Sequence, residues 1–388
     1  MKIKHNRKVV DRARRLLEAN IATATMQLLL AEYDGNPVFD NSIFENVEIF
    51  KHECRKKKIP YDSSTALIYA MLYDIGMDIV PPPVLFAVAK FGTIIRKEGF
   101  DKNPYLQTVK VPPVKRNGFG YSLEKNMRLE LCNTNTLIYL DNVAIPRLST
   151  FDHSIKYPVF SQSGRIWMSV SPSEISTMEE PIREAEGKVL TLGLGLGYFA
   201  FMASEKAEVE EVTVVEKEPD VIGMFRKYLL PQFPHREKIK IIQADAFDFM
   251  AGAEDGTYDH CFVDVWADNM DIASYFKAKR ACLHLTKTKV TYWVEDGIII
   301  YIIGIISYMI LSSLPETKGV IEEMLDFTGD KEALGLIDNL TRHERIASAE
   351  DIDRLTDPAY VKNLVEDYVT AQTDKVSRRV RVKEKETE

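Results

Sequence analysis

Three glycines at alternate positions, Gly193, Gly195 and Gly197, follow the apolar run 189–192 and precede Phe199, Met202 and Ala203 at helical spacing. A strand that turns this tightly into a helix lets a ligand approach the backbone, and the helix start offers N–H groups without intrahelical partners. About 20 residues further on, Glu216 ends the next apolar run, where a carboxylate can accept hydrogen bonds from both hydroxyls of a ribose. Asp245 ends a third run, beside Ala246, and Asp264 ends a fourth, with Asp268 close behind it and Glu295 after a fifth. Carboxylates so placed can orient an acceptor nucleophile and take its proton. An acidic rim of Asp264, Asp268 and Glu295 suits an amine or another cationic acceptor.

The elements that must position these residues alternate. Strands are predicted at 189–192, 211–215, 239–243, 261–265 and 290–294, and helices at 197–206, 218–230, 245–251 and 272–284. Strands separated by helical stretches imply a parallel sheet with crossovers, whose ligand crevice lies at the carboxyl ends of the strands. A dinucleotide pattern G-x-G-x-x-G would need a third glycine where Tyr198 stands, so the spacing suits a ligand without phosphates. Each residue also has a plainer reading. The glycines can make a tight turn that holds nothing, and Asp264, Asp268 and Asp271 can cap helices. Trp266, Tyr198 and His260 can be ordinary packing, and Glu295 can lie in a solvated turn.

On these residues the stretch 157–295 resembles the class I S-adenosylmethionine-dependent methyltransferase superfamily, and most of all its spermidine-synthase-like branch. The entry segment 168–179 and a small β-rich region before the core are part of the likeness. The resemblance implies an α/β fold: a Rossmann-like class I methyltransferase core with a helical N-terminal domain and a small β-rich segment ahead of it. It implies S-adenosyl-L-methionine as cofactor, bound by Gly193, Gly195, Gly197, Glu216 and the adenine-contacting pair Asp245 and Ala246. Asp264 would be the general base, with Asp268 as a second catalytic acid. The chain departs from aminopropyltransferases at Leu196, where they usually have an Asp, at Ala267, where they have a second one, and in lacking a Gly-Gly turn before strand five. It departs from many methyltransferases at Thr191, where they have an acid. An Asn-Pro-Pro-Tyr-type motif after strand four is missing, which argues against nucleobase amino-methylation. Asn103-Pro104-Tyr105 lies too far upstream to replace it.

The rest of the chain frames this core. At 388 residues, 45% hydrophobic and 28% charged, it can bury a sizeable interior in two or three domains of roughly 100–200 residues. We expect a helical domain over 1–120, with helices at 5–33, 42–58, 63–76 and 84–97, and a β-rich segment over 121–180. The Rossmann-like domain should span 181–315, and a helical C-terminal region with a charged disordered tail 316–388. The net charge of −8 argues against a nucleic-acid partner, although the first sixty residues are basic, with the run Arg55-Lys56-Lys57-Lys58. Cys54, Cys132, Cys261 and Cys282 form no C-x-x-C pair and no zinc spacing, so free thiols and no metal are expected in a cytoplasmic protein. The charged N-terminus predicts no signal peptide. The uncharged run 297–314 has the length of a marginal membrane span, but it directly follows a core strand and reads better as a buried helix. Methyl transfer to a small-molecule or protein acceptor is the function expected first. Aminopropyl transfer and a non-catalytic cofactor-binding scaffold or sensor are the alternatives, and a homo-oligomer is left open.

Overall fold

The structure, a computed structural model, describes residues 1–31, 35–140, 143–314, 317 and 331–387. From residue 187 strands and helices alternate: β1 Gly187–Leu192, α1 Tyr198–Ser204, β2 Val209–Glu216, α2 Pro219–Tyr228, β3 Ile239–Gln243, α3 Ala246–Gly252, β4 His260–Val263, α4 Ile272–Cys282, β5 Lys289–Tyr292 and α5 Glu295–Leu311. This is the Rossmann-like alternation expected. The chain divides into two compact units, one of residues 1–17, 188–193 and 244–388, the other of residues 18–187 and 194–243. These boundaries differ from the domains expected from the sequence, and one of them falls inside the glycine turn, between Gly193 and Leu194.

In the first unit β4 lies between two parallel neighbours, His260–Val263 pairing with Val189–Leu192 of β1 on one side and with Lys289–Tyr292 of β5 on the other. All four β4 residues are buried, as an apolar central strand of a parallel sheet requires. Helix α5 carries apolar residues all round and packs against the helices Lys331–Thr341 and Pro358–Thr387. It buries Ile298, Ile302, Ile305, Ile306 and Ile310. Among the described residues no helix is long and apolar enough to cross a membrane. After β5, among the described residues, the single strand is Arg345–Ile346, which pairs with Lys2–Ile3. The final helix continues to Thr387 where a disordered tail was expected. The Lys, Arg and Glu of that segment are good helix formers.

Where α4, α5 and the final helix meet, Glu295 joins them. It pairs with Lys279 at 2.8 Å and with Lys362 at 2.6 Å, and it accepts from Tyr275 Oη at 2.7 Å. Burial works to raise its pKa, but the two ammonium groups hold the carboxyl below the usual range. The expected solvated turn is therefore a half-closed ion cluster.

In the second unit the helices Ile43–Lys57, Ser63–Asp74 and Pro82–Lys90 pack around Ala66, Ile68, Met71, Leu72, Val88 and Ala89. The basic run ends the first of them, where cations favour the negative end of the helix dipole. A helix expected over 84–97 stops at Lys90, and Thr93–Ile95 forms a strand beside Ser149–Phe151. The β-branched Thr and two Ile suit that pairing. Two hairpins turn at Asn117-Gly118 and Ser163-Gly164, all four residues at positive φ, as two-residue turns between twisted strands need. They build a four-stranded sheet of Val114–Arg116, Phe119–Asn126, Ile155–Gln162 and Arg165–Ser169. Directly opposed residues share a face, so Tyr121, Phe160 and Met168 form one row across it.

The last of these strands runs into the helix Pro172–Glu184, whose N-cap Ser171 accepts from Glu174 N at 3.3 Å. Glu174 reaches back instead to Ser169, accepting from its N at 2.8 Å and its Oγ at 2.9 Å. Burial raises the Glu174 carboxyl to about 7, against the pull of these two hydrogen bonds. A carboxyl raised on folding contributes stability fully present below its unfolded pKa and lost as pH rises through the folded one. Glu174→Gln keeps the shape without ionising, its Oε1 accepting from Ser169 N and its Nε2 donating to Ser169 Oγ. Melting curves should therefore show the wild type losing about 1–3 kcal/mol relative to E174Q between about pH 5 and pH 8; parallel pH profiles for the two proteins would refute the assignment. At the other cluster, Lys279→Met should cost about 2–4 kcal/mol by denaturant unfolding, because it strips one cation from a poorly hydrated carboxylate that keeps Lys362. A loss under about 0.5 kcal/mol would mean the pair is solvent-screened.

Candidate active site

In the second unit the glycine turn rests on the β-sheet row. Met168 Sδ accepts from Leu196 N at 3.2 Å and fills the space a side chain at Gly195 would need. Gly197, at φ +70°, likewise leaves no room beside the Phe225 ring. Leu194 N donates to Glu216 Oε2 at 3.3 Å, Gly197 N donates to Leu194 O at 2.7 Å, and Glu218 N donates to Glu216 Oε1 at 2.9 Å. Three amides of the turn, those of Leu194, Leu196 and Gly197, thus have partners inside the protein. The glycines are demanded first by the chain's own packing. Glu216 is both a clasp between the end of β2 and the turn and a mostly buried carboxylate whose pKa burial raises, against three backbone amides. A carboxylate offers about four lone-pair positions, so its oxygens can still accept further donors.

Asn103 and Tyr105 buttress the same turn. Asn103 Oδ1 accepts from Tyr105 N and Leu106 N, and its Nδ2 donates to Tyr198 Oη at 2.9 Å. Tyr105, fully buried, donates to Leu196 O at 2.7 Å, and its ring meets those of Tyr198 and Phe201 edge-on. Tyr198 is accordingly packing, as its plainer reading had it. Sequence reasoning set Asn103-Pro104-Tyr105 aside, and no spacing rule links it to a turn 91 residues away.

In the first unit Gly193, at φ +104°, lies against Asp264 at the end of β4, and a Cβ there would collide with the Asp264 carbonyl oxygen. Asp264 N donates to Leu192 O at 3.0 Å, extending the ladder by one residue and leaving the half-buried Asp264 just past the strand ends. Those two expected site residues therefore do come together. Asp245 is exposed and caps α3, accepting from Phe247 N at 2.9 Å and Asp248 N at 3.2 Å, with Ala246 as the first helical residue. Asp268 Oδ1 accepts from Met270 N at 3.0 Å, and Asp271 caps α4 through Ser274 N. Both shape the turn into α4. Glu295 does not line an open rim, because its charge is already met by Lys279 and Lys362. Trp266 is buried against Tyr275 and Tyr292, and His260 is a core residue bonded through Nε2 to Thr291 Oγ1 at 2.9 Å.

No curated protein sequence matches this chain significantly. Similar solved structures include spermidine synthase from Thermotoga maritima, 15% identical over 52% of this chain and 72% of that one, with a TM-score of 0.28. A spermidine synthase in complex with the transition-state analogue AdoDATO is 15% identical over 52% and 73%, with a TM-score of 0.30. A SAM-dependent methyltransferase from Archaeoglobus fulgidus is 18% identical over 29% of this chain and 46% of that one, with a TM-score of 0.23. Residues 175–307 match the family model of the spermine/spermidine synthase domain, a stretch that contains the glycine turn, Glu216, Asp245, Asp264 and Glu295. Over these residues, which include all five parallel strands β1 to β5, the chain is similar to the spermine/spermidine synthase domain.

Proposed function

We propose that the chain is a group transferase of the spermidine-synthase kind, with decarboxylated S-adenosylmethionine as its donor and an amine as its acceptor. The match of residues 175–307 to the spermine/spermidine synthase domain carries this reading. The donor's sulfonium makes the attached carbon electrophilic, so the protein has little covalent chemistry to do. Glu216 accepts from the ribose hydroxyls, Asp245 and Ala246 contact the adenine, and Gly193, Gly195 and Gly197 keep the turn close enough to admit the nucleoside. Asp264 orients the acceptor nitrogen and takes its proton, with Asp268 holding the turn that follows. Positioning of this kind supplies most of the rate in such a displacement.

Methyl transfer from S-adenosylmethionine to a small molecule or protein side chain is the second reading. Three observations favour it. Leu196, where aminopropyltransferases usually carry an Asp, is fully buried; Ala267 replaces their second Asp; and Glu295 is neutralised internally. An amine acceptor would meet fewer acids here than the resemblance implies.

Calorimetric titration with both donors, followed by mass spectrometry of products from a panel of amines, separates the readings. We expect tighter binding of the decarboxylated donor and a product heavier by an aminopropyl group. A methylated product with S-adenosylmethionine would transfer the assignment to the second reading, and binding of neither donor would remove both. Asp264→Asn should lower turnover about 10²–10⁴-fold while donor affinity changes little. Glu216→Ala should weaken donor binding by at least about tenfold. Unchanged turnover in D264N at saturating donor would exclude Asp264 as the base.

A further inference from the structure

Tyr121 stands in the middle of the strand Phe119–Asn126, in the row that continues through Phe160 to Met168 and so to the glycine turn. Its side chain is 2% exposed, and its hydroxyl has no hydrogen-bond partner among the described residues. A buried phenol without a partner is costly, since it has lost its hydration and gained nothing in return. Its ring packs beside that of Phe160, with centroids 6.0 Å apart. The Glu216 carboxylate is close enough for its charge to raise the phenol's pKa further, on top of the larger effect of burial. The hydroxyl therefore stays protonated and is a donor throughout the accessible pH range.

The chemistry of the proposed ligand leaves a matching gap. An ionised carboxylate only accepts. Ribose hydroxyls that donate to Glu216 keep oxygens whose lone pairs face a poorly hydrated site. A donor is needed there, and Leu194 N and Glu218 N are already spent on Glu216 itself. We propose that Tyr121 Oη donates to a ribose hydroxyl oxygen of the nucleoside held by Glu216, completing the diol's recognition and tying the β-rich segment to the ligand. This assignment rests on the adenosyl-donor reading above and adds to it a residue from outside the matched domain.

The probes are 5′-methylthioadenosine and its 2′-deoxy and 3′-deoxy analogues, titrated into the full chain and into Tyr121→Phe. The variant should bind 5′-methylthioadenosine about tenfold more weakly. It should bind the deoxy analogue that lacks the contacted hydroxyl as well as the wild type does. Its melting temperature without ligand should be unchanged or higher, because the variant removes an unpaired buried hydroxyl. A purely structural role would move the other way, lowering the melting temperature and leaving affinity alone. Equal affinity of the two proteins for 5′-methylthioadenosine, or an equal loss for all three nucleosides, would overturn the assignment of Tyr121 and leave the adenosyl reading standing. Failure of the wild type to bind 5′-methylthioadenosine or either donor would overturn both.

Discussion

The turn after β1 has no spare room, and much of the candidate site follows from that constraint. At Gly193 the Asp264 carbonyl oxygen stands where a Cβ would project, and the backbone there takes a φ of +104° that other residues rarely adopt. With no side chain in the way, Asp264 N reaches Leu192 O and the acid is set at the strand ends. The next glycines repeat the device against Met168 and Phe225. The motif that reads in sequence as a ligand cradle is therefore first a packing solution.

Support for the turn comes from residues far away in sequence. Met168 receives Leu196 N, Tyr105 donates to Leu196 O, and Asn103 holds Tyr198. A residue held at both its N–H and its C=O has little freedom, which is how a short turn is kept rigid without regular secondary structure. The β-sheet row and the helix Pro104–Thr108 thus serve the turn as a foundation. That gives the segments before the matched domain a physical role in the site.

What the sequence disclosed and what it hid follow from range. The strands and helices after residue 187 were legible because each apolar run is short and bounded by polar residues. The strand-end places of Glu216 and Asp264 were legible because each closes an apolar run. The strand Thr93–Ile95 was missed because three residues carry almost no periodicity and their partner lies at Ser149–Phe151. Asn117-Gly118 carried a hairpin signal that went unread. The roles of Tyr105 and Tyr121 were not legible at all. Each depends on which hydroxyl finds a partner after folding, and no local pattern encodes that. Glu295 was misplaced because its neutralising lysines come from α4 and the final helix, the second of them 67 residues downstream.

Two acids near strand ends show how one residue type can be held in different ways. Glu295 is held by two ammonium groups and a phenol, and its pKa is lowered. Its charge is consumed, its hydrogen-bonding capacity is largely filled, and what it does is join three helices. Glu216 is mostly buried too, but its recorded partners are backbone amides, and its pKa is raised. Amides orient a carboxylate without cancelling its charge, so the group keeps both its negative potential and lone pairs for a further donor. Maintaining an acid in that condition is unfavourable for the isolated protein. The two acids thus differ in the charge of their partners, ammonium groups at Glu295 and backbone amides at Glu216.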